Sequence, residues 1–302
     1  MVKHLTSISD LTKNELLEII TLAEDLKDER RRGIFRDYLK NKTLAMIFEL
    51  PSTRTRVSFE VAMTDMGGHA IYLNWNDLQL GRGETIADTA RVLSRYVSGI
   101  MARVRDHGTI TELARFSDVP VINGLSNLEH PCQIVADLQT IREKKGSFDI
   151  KLAWVGDGNN VCNSMILASA LLGFEMRIAT PEGYEPDERI LSRAEKTGAE
   201  IELTDKPEEA VRSADVIYTD VWTSMGQEKE KDERNRIFQP YQVNKRLLSF
   251  AHKDVIVMHC LPAHRGEEIT DDVIDGPHSV VFDQAENRLH AQKAILLRLL
   301  EG

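Results

Sequence analysis

Apolar positions recur with two different periods along this chain. Over residues 10–30, Leu16, Ile19, Ile20, Ala23 and Leu26 fall on one stripe of a 3.6-residue helix, with Ser9 and Asp10 placed to cap it. Beyond that helix, short β-branched or apolar runs alternate with helical patterns. Strands are predicted at 43–48, 70–73, 99–103 and 119–122, and helices from Thr53, over 84–96 and from Pro131, where proline suits a first helical turn. The rhythm then restarts, with strands at 151–155, 176–179, 216–219, 255–259 and 280–282 and helices at 160–172 and 187–197. A polar stretch at 144–149 marks the boundary, and a last apolar-periodic segment, 291–300, reads as a helix that packs back on one of the two halves. Alternating strands and helices predict an α/β protein with two doubly wound domains, each built on a mostly parallel sheet flanked by helices.

Composition agrees with that picture and narrows it. A length of 302 residues suits about two domains, and 42% hydrophobic with 28% charged residues is globular rather than disordered. The 38 Lys and Arg against 48 Asp and Glu give a net charge of −10, which disfavours nucleic acid and anionic membrane as partners. Any anion must therefore be held by cations concentrated locally. The 3 cysteines, Cys132, Cys162 and Cys260, form no CxxC pair, so neither a disulfide framework nor a zinc site is expected and a reducing cytoplasm is. The sequence shows no signal-like start and no membrane-spanning run. The expectation is a soluble cytoplasmic enzyme or binding protein that uses no metal and no cofactor.

The chemistry sits at predicted strand ends. Pro51-Ser52-Thr53-Arg54-Thr55-Arg56 follows a strand and opens a helix, so hydroxyls and guanidiniums join the unpaired amides of a helix N-terminus, a cradle for phosphate or carboxylate. Capping alone accounts for one of those hydroxyls and leaves the arginines as surface groups. Arg103 ends an apolar strand at the edge where open α/β sheets bind ligands. His130-Pro131-Cys132-Gln133 places an imidazole and an amide at a helix start, where they can donate to a carbonyl oxygen gaining charge. Gly156-Asp157-Gly158-Asn159-Asn160 resembles half a dinucleotide fingerprint, but Val161 stands where the third glycine belongs, which disfavours NAD and leaves the Asn pair for a polar substrate. Asp220 ends another strand ahead of the small-residue loop Thr223-Ser224-Met225-Gly226, and the charge run 228–236 reads as a solvated loop or a mobile lid. In His259-Cys260-Leu261-Pro262, Cys260 is a nucleophile, a polar contact or a small buried residue. Glu286-Asn287-Arg288 adds a further cation.

Together these segments resemble the aspartate/ornithine carbamoyltransferase family along nearly the whole chain. Ser-Thr-Arg-Thr-Arg and His-Pro-x-Gln are the family's shared carbamoyl phosphate motifs, while Asp220 with Ser224-Met225-Gly226 and His259-Cys260-Leu261-Pro262 look like its ornithine branch. The resemblance implies that Ser52, Thr53, Arg54 and Thr55 hold the phosphate, with Arg103 bridging phosphate and carbonyl. His130 and Gln133 would hold the carbamoyl carbonyl and amide, and Cys260, Leu261 and Arg288 would complete that site. Gln79 looks like the residue that family trimers lend to a neighbour, and Asn160, Asp220, Ser224 and Met225 would grip L-ornithine. Arg54, Arg103, His130 and Cys260 are the candidates for the chemistry. Glu49-Leu50 departs from the more usual Lys-Pro, at positions that match no ligand contact.

On this reading residues 1–145 bind carbamoyl phosphate and 146–285 bind ornithine, the terminal helix 286–302 packs on the first domain, and the substrates meet in the interdomain cleft. The expected reaction is direct attack of the ornithine side-chain amine on carbamoyl phosphate in a ternary complex, giving L-citrulline and phosphate, in a homotrimer or a higher assembly of trimers. A carbamoyltransferase for another amine, such as putrescine or aspartate, is the alternative. An amine of pKa about 10.4 must lose a proton, which the leaving phosphate or Cys260 would accept, so activity is expected to rise with pH.

Overall fold

The computed structural model describes residues 3–224 and 228–301. Its two compact units are the chain up to Gln139 together with Glu286 onward, and Thr140–Ala285.

The first unit is built on four parallel strands, β1 (Thr43–Phe48), β2 (His69–Asn74), β3 (Gly99–Arg103) and β4 (Val121–Leu125), in the order β2-β1-β3-β4. β1 and β3 read as near-continuous apolar runs because helices cover both faces of such a sheet. Those helices begin with α1 (Lys13–Arg31), α2 (Thr53–Asp65), α3 (Ile86–Leu93), α4 (His107–Phe116) and α5 (Pro131–Lys145). The cap of α1 is Thr12, which forms a reciprocal box with Glu15, whereas Ser7 and Asp10 cap a separate 3-10 turn, so Ser9 and Asp10 do not cap α1. The core joins Ile47, Ile100, Ala102 and Val121 of the strands to Ala90, Ile110 and Leu113 of α3 and α4.

The second unit repeats the plan with β5 (Lys151–Val155), β6 (Glu175–Ala179), β7 (Ile201–Thr204), β8 (Val216–Thr219) and β9 (Ile256–His259), all parallel, in the order β7-β6-β5-β8-β9. Its helices are α6 (Asn160–Leu172), α7 (Glu188–Glu195), α8 (Pro207–Ala210), α9 (Lys231–Phe238), α10 (Lys245–Leu248) and α11 (Asp271–Ile274), and α12 (Val281–Leu300) carries the chain into the first unit.

Four further expectations are corrected. Residues 280–282 are not a strand: Val280 donates one backbone bond to Val257 and its carbonyl then accepts from Gln284, so the apolar triplet opens α12. The helix predicted over 84–96 is only α3, capped by Thr85 at one end, while Ser94 at the other bonds back to the Ala90 carbonyl and meets Ser117. The strand expected at 119–122 is displaced to β4. The charge run 228–236 is a 3-10 turn (Glu228–Glu230) and α9 rather than a solvated loop, because one of its arginines is buried.

Candidate functional site

Each sheet has one point where the strand order reverses, and ligands of open α/β sheets bind beyond the carboxyl ends of the strands there. In the first unit that point lies between β1 and β3, whose ends pair Phe48 with Arg103. The chain leaving β1 enters α2 through Ser52, whose Oγ accepts from the Thr55 amide at 3.1 Å. One hydroxyl is thus spent on capping, and the remaining first-turn amides keep the positive end of the helix dipole. The Arg288 guanidinium is buried beside it, donating from Nη1 to Gln133 Oε1 at 2.6 Å and from Nη2 to Thr55 Oγ1 at 3.3 Å. Lys27, itself buried, donates to Asn287 Oδ1 at 2.7 Å and so anchors the turn of α12 that carries Arg288.

His130 reaches this cluster on a loop tied to the start of the chain. Leu5 bridges Ile122, the Glu129 carboxylate accepts the Ile8 amide at 3.0 Å, and Asn123 Nδ2 donates to the Thr6 carbonyl at 2.9 Å. Burial first, then the charges of Arg288, Arg103 and Arg54, hold the His130 imidazole well below its ordinary pKa. It is neutral at pH 7, and the cluster's positive charge rests on the three guanidiniums. Arg103, Gln133 and Thr55 are buried with it. The hydrogen bonds of Arg288 to Thr55 and Gln133, and the charges of Arg54, Arg103 and Arg288 felt by one imidazole, show that Thr55, Arg54, Arg103, His130, Gln133 and Arg288 form one cluster.

Arg56 does not converge with them. Residues two apart on a helix do not share a face. Its Nε donates to Glu60 at 3.0 Å and its guanidinium lies 3.9 Å from the centre of the Tyr72 ring. Thr53 is exposed, and Gln79 is exposed at the start of a separate 3-10 turn, Gln79–Arg82.

In the second unit the reversal lies between β5 and β8. Gly158 is required after β5 because a Cβ would overlap the backbone of Glu185 and Pro186. Asn159 then caps α6, its Oδ1 accepting the amides of Val161 at 2.9 Å and Cys162 at 3.2 Å, groups that a dinucleotide pyrophosphate would need. Its Nδ2 donates to Asp220 Oδ2 at 2.8 Å, and Cys260 donates from Sγ to Asp220 Oδ1 at 3.1 Å. Asp220, buried after β8, is thus oriented from two sides, with half-buried Asn160 at the start of α6 and half-buried Ser224 in the loop beyond. Met225 and Gly226 lie outside the described residues.

Two supports of this site were not foreseen. Buried Arg234 of α9 pairs with Asp157 Oδ2 at 2.8 Å, donates to the Trp222 carbonyl and lies 4.7 Å from the Tyr184 ring centre. Burial pushes the Asp157 carboxyl up to about 6, although Arg234 pulls the other way. His259 Nδ1 accepts the Leu261 amide at 2.9 Å and its Nε2 donates to buried Glu268 at 3.0 Å, fixing a turn in which Leu261 holds φ 58°. Asp220, His259 and Cys260 bring ligand atoms within 4.8 Å of one another, but both His259 nitrogens are already engaged. Phe238, four residues after Arg234, was the available signal for α9, since an apolar residue at that spacing turns a charged run into an amphipathic helix.

A cationic, hydroxyl-bearing anion cradle on one open parallel sheet and an oriented carboxylate on a second define an α/β protein suited to a small anion and a small amine. Residues 3–143 match the aspartate/ornithine carbamoyltransferase carbamoyl-P binding domain and 148–299 the Asp/Orn binding domain. The chain is 70% identical over 300 residues to the ornithine carbamoyltransferase of Archaeoglobus fulgidus, covering 99% of this chain and 98% of that one. It is 58% identical to that of Methanosarcina mazei, over 99% of this chain and 100% of the other. The solved ornithine carbamoyltransferase of Pyrococcus furiosus superposes with a TM-score of 0.96 at 58% identity, covering 99% of this chain and 97% of that one. The chain belongs to the aspartate/ornithine carbamoyltransferase family.

Proposed function

We propose that the protein transfers the carbamoyl group of carbamoyl phosphate to the side-chain amine of L-ornithine, giving L-citrulline and phosphate, as in arginine-forming metabolism. The observation that carries this reading is the grouping of half-buried Arg54 with buried Arg103 and Arg288 around a neutral His130. Charge-assisted hydrogen bonds contribute roughly 1.5–3 kcal/mol each, so three or four hold a small dianion on a protein of net charge −10. Ser52, Thr53, Arg54 and Thr55 take the phosphate, Arg103 reaches phosphate and carbonyl, and neutral His130 donates one N–H to the carbonyl oxygen as it gains charge. Gln133, Arg288, Cys260 and Leu261 complete the donor site, while Asp220 orients the ornithine amine with Asn160, Ser224 and Met225.

The amine must shed its proton, and from a pKa of about 10.4 to pH 7 that costs about 4.6 kcal/mol. Asp220 beside an ammonium raises its pKa, so it orients rather than deprotonates. The Cys260 Sγ already donates to that carboxylate at 3.1 Å, so the carboxylate that would have to serve as its base instead holds its proton, which argues against Cys260 as nucleophile or base. The leaving phosphate is therefore the proton acceptor in a direct, ternary-complex transfer. We further propose a homotrimer in which exposed Gln79 is lent to a neighbour's phosphate site, and a cytoplasmic location; no helix of the described residues is long and apolar enough to cross a membrane.

Assays with ornithine, putrescine and aspartate side by side test the assignment. Product with ornithine alone, with both substrates bound before release, is the expected result. Preference for putrescine or aspartate, or ping-pong kinetics, contradicts it.

A further inference from the structure

Gln133 lies between a group that only donates and a group that only accepts. Its Oε1 receives Arg288 Nη1 at 2.6 Å, and its Nε2 donates to Asp137 Oδ1 at 2.8 Å. A guanidinium has no acceptor and a carboxylate has no donor, so the amide has one orientation: NH₂ toward Asp137, oxygen toward Arg288. Asp137 lies one helical turn beyond Gln133 on α5 and is fully buried, a costly place for a carboxylate that must be offset by what it bonds. Without an acceptor at 137, the Gln133 NH₂ would lose its buried partner and the Arg288 bond alone would hold the amide.

We propose that Asp137 is a positioning residue that makes the carbamoyl phosphate site read the ligand's –NH₂ group, by fixing Gln133 with its oxygen as the group presented. This rests on the reaction assignment above. An oxygen with a second lone pair accepts an N–H from a carbamoyl group and gains nothing from the methyl of acetyl phosphate, which is otherwise similar in shape and charge. A site built to bond a substrate N–H leaves its own polar group unpaired when that N–H is missing, and discriminates accordingly.

The test measures dissociation constants of carbamoyl phosphate, acetyl phosphate and inorganic phosphate for the full-length protein, with folding followed by circular dichroism. The wild type should bind carbamoyl phosphate at least roughly 10-fold more tightly than acetyl phosphate, and Asp137→Leu should remove that preference while changing phosphate affinity less than about 3-fold. Asp137→Asn keeps an oxygen that can accept from Gln133 and should retain most of the preference. In a Gln133→Met background, adding Asp137→Leu should change the preference less than about 2-fold, as expected for a residue acting through another. Equal wild-type affinity for the two acyl phosphates overturns the proposal even if Asp137→Leu does not fold. So does an Asp137→Leu protein that keeps the preference, or one that loses all three ligands in proportion. Failure of the wild type to form citrulline would count against the reaction instead, because these are binding measurements on unreacted ligand.

Discussion

His130 shows how a single residue acquires its chemistry from neighbours far away in sequence. Burial and three guanidiniums keep it neutral, so protonation of this imidazole should not appear in the pH dependence of the rate. Between about pH 6 and 9 the rate is expected to climb with the ornithine amine and to show no inflection near 6.5, and His130→Asn should lower kcat by about 10²-fold without moving the profile. An inflection that disappears in His130→Asn would contradict this. His290 is a second neutral histidine, held down to about 3 by burial and then by Lys293, Lys27, Arg30 and Arg31. Its folded pKa lies below its unfolded value of about 6.5, so the unfolded chain takes up the proton first. Stability should therefore fall as pH drops from about 6.5 toward 3, by up to about 1.4 kcal/mol per pH unit from this group, and His290→Gln should flatten the fall in urea titrations between pH 7 and pH 4.5. The thiols divide in the same way. Burial pushes Cys132 up to about 12 and Cys162 well above its usual value, while Cys260 is half-buried, so an alkylating reagent should label one thiol in the native protein and none in Cys260→Ser.

At the scale of elements, α9 depends most visibly on one buried contact. Arg234→Met removes the partner of Asp157 and should destabilise the second unit by about 3 kcal/mol at pH 8, and by less at pH 5, where the stranded carboxyl can protonate. Denaturant midpoints at the two pH values measure this, and an equal loss at both would show that packing on Tyr184 matters rather than charge. The same helix marks the limit of what the sequence makes legible. Strands such as β1, β3 and β5 are readable because both faces are covered and all but their end positions are apolar. β7 is not, since Ile201 and Thr204 are only half-buried and Glu202 and Leu203 are exposed. Motifs at strand ends could be placed from the sequence, because a cation or hydroxyl directly after an apolar run has few structural reasons to be there. Supports such as Asn159, Arg234 and Asp137 were harder, since each acts across a turn or between elements through a bond that only the folded chain makes. Arg56 fails in the opposite way, being in the motif by sequence and on the other face by helical geometry.

Across the whole molecule, the fold repeats one device: an open parallel sheet with polar side chains collected where its strand order reverses. One copy gathers positive charge and the other orients a carboxylate, within a chain whose net charge is −10; on the proposed function these serve an anion and an amine. That net charge argues against polyanionic partners, and a small dianion escapes the argument because Arg54, Arg103 and Arg288 act locally. On the proposed function, these arginines and His130 stabilise the phosphate and carbonyl during carbamoyl transfer to ornithine. The most direct test of this role is the initial rate of citrulline formation from carbamoyl phosphate and ornithine, wild type against Arg54→Ala at matched folding. The wild type should turn over robustly and the variant should lose at least about 10³-fold. Turnover by Arg54→Ala near the wild-type rate would contradict it.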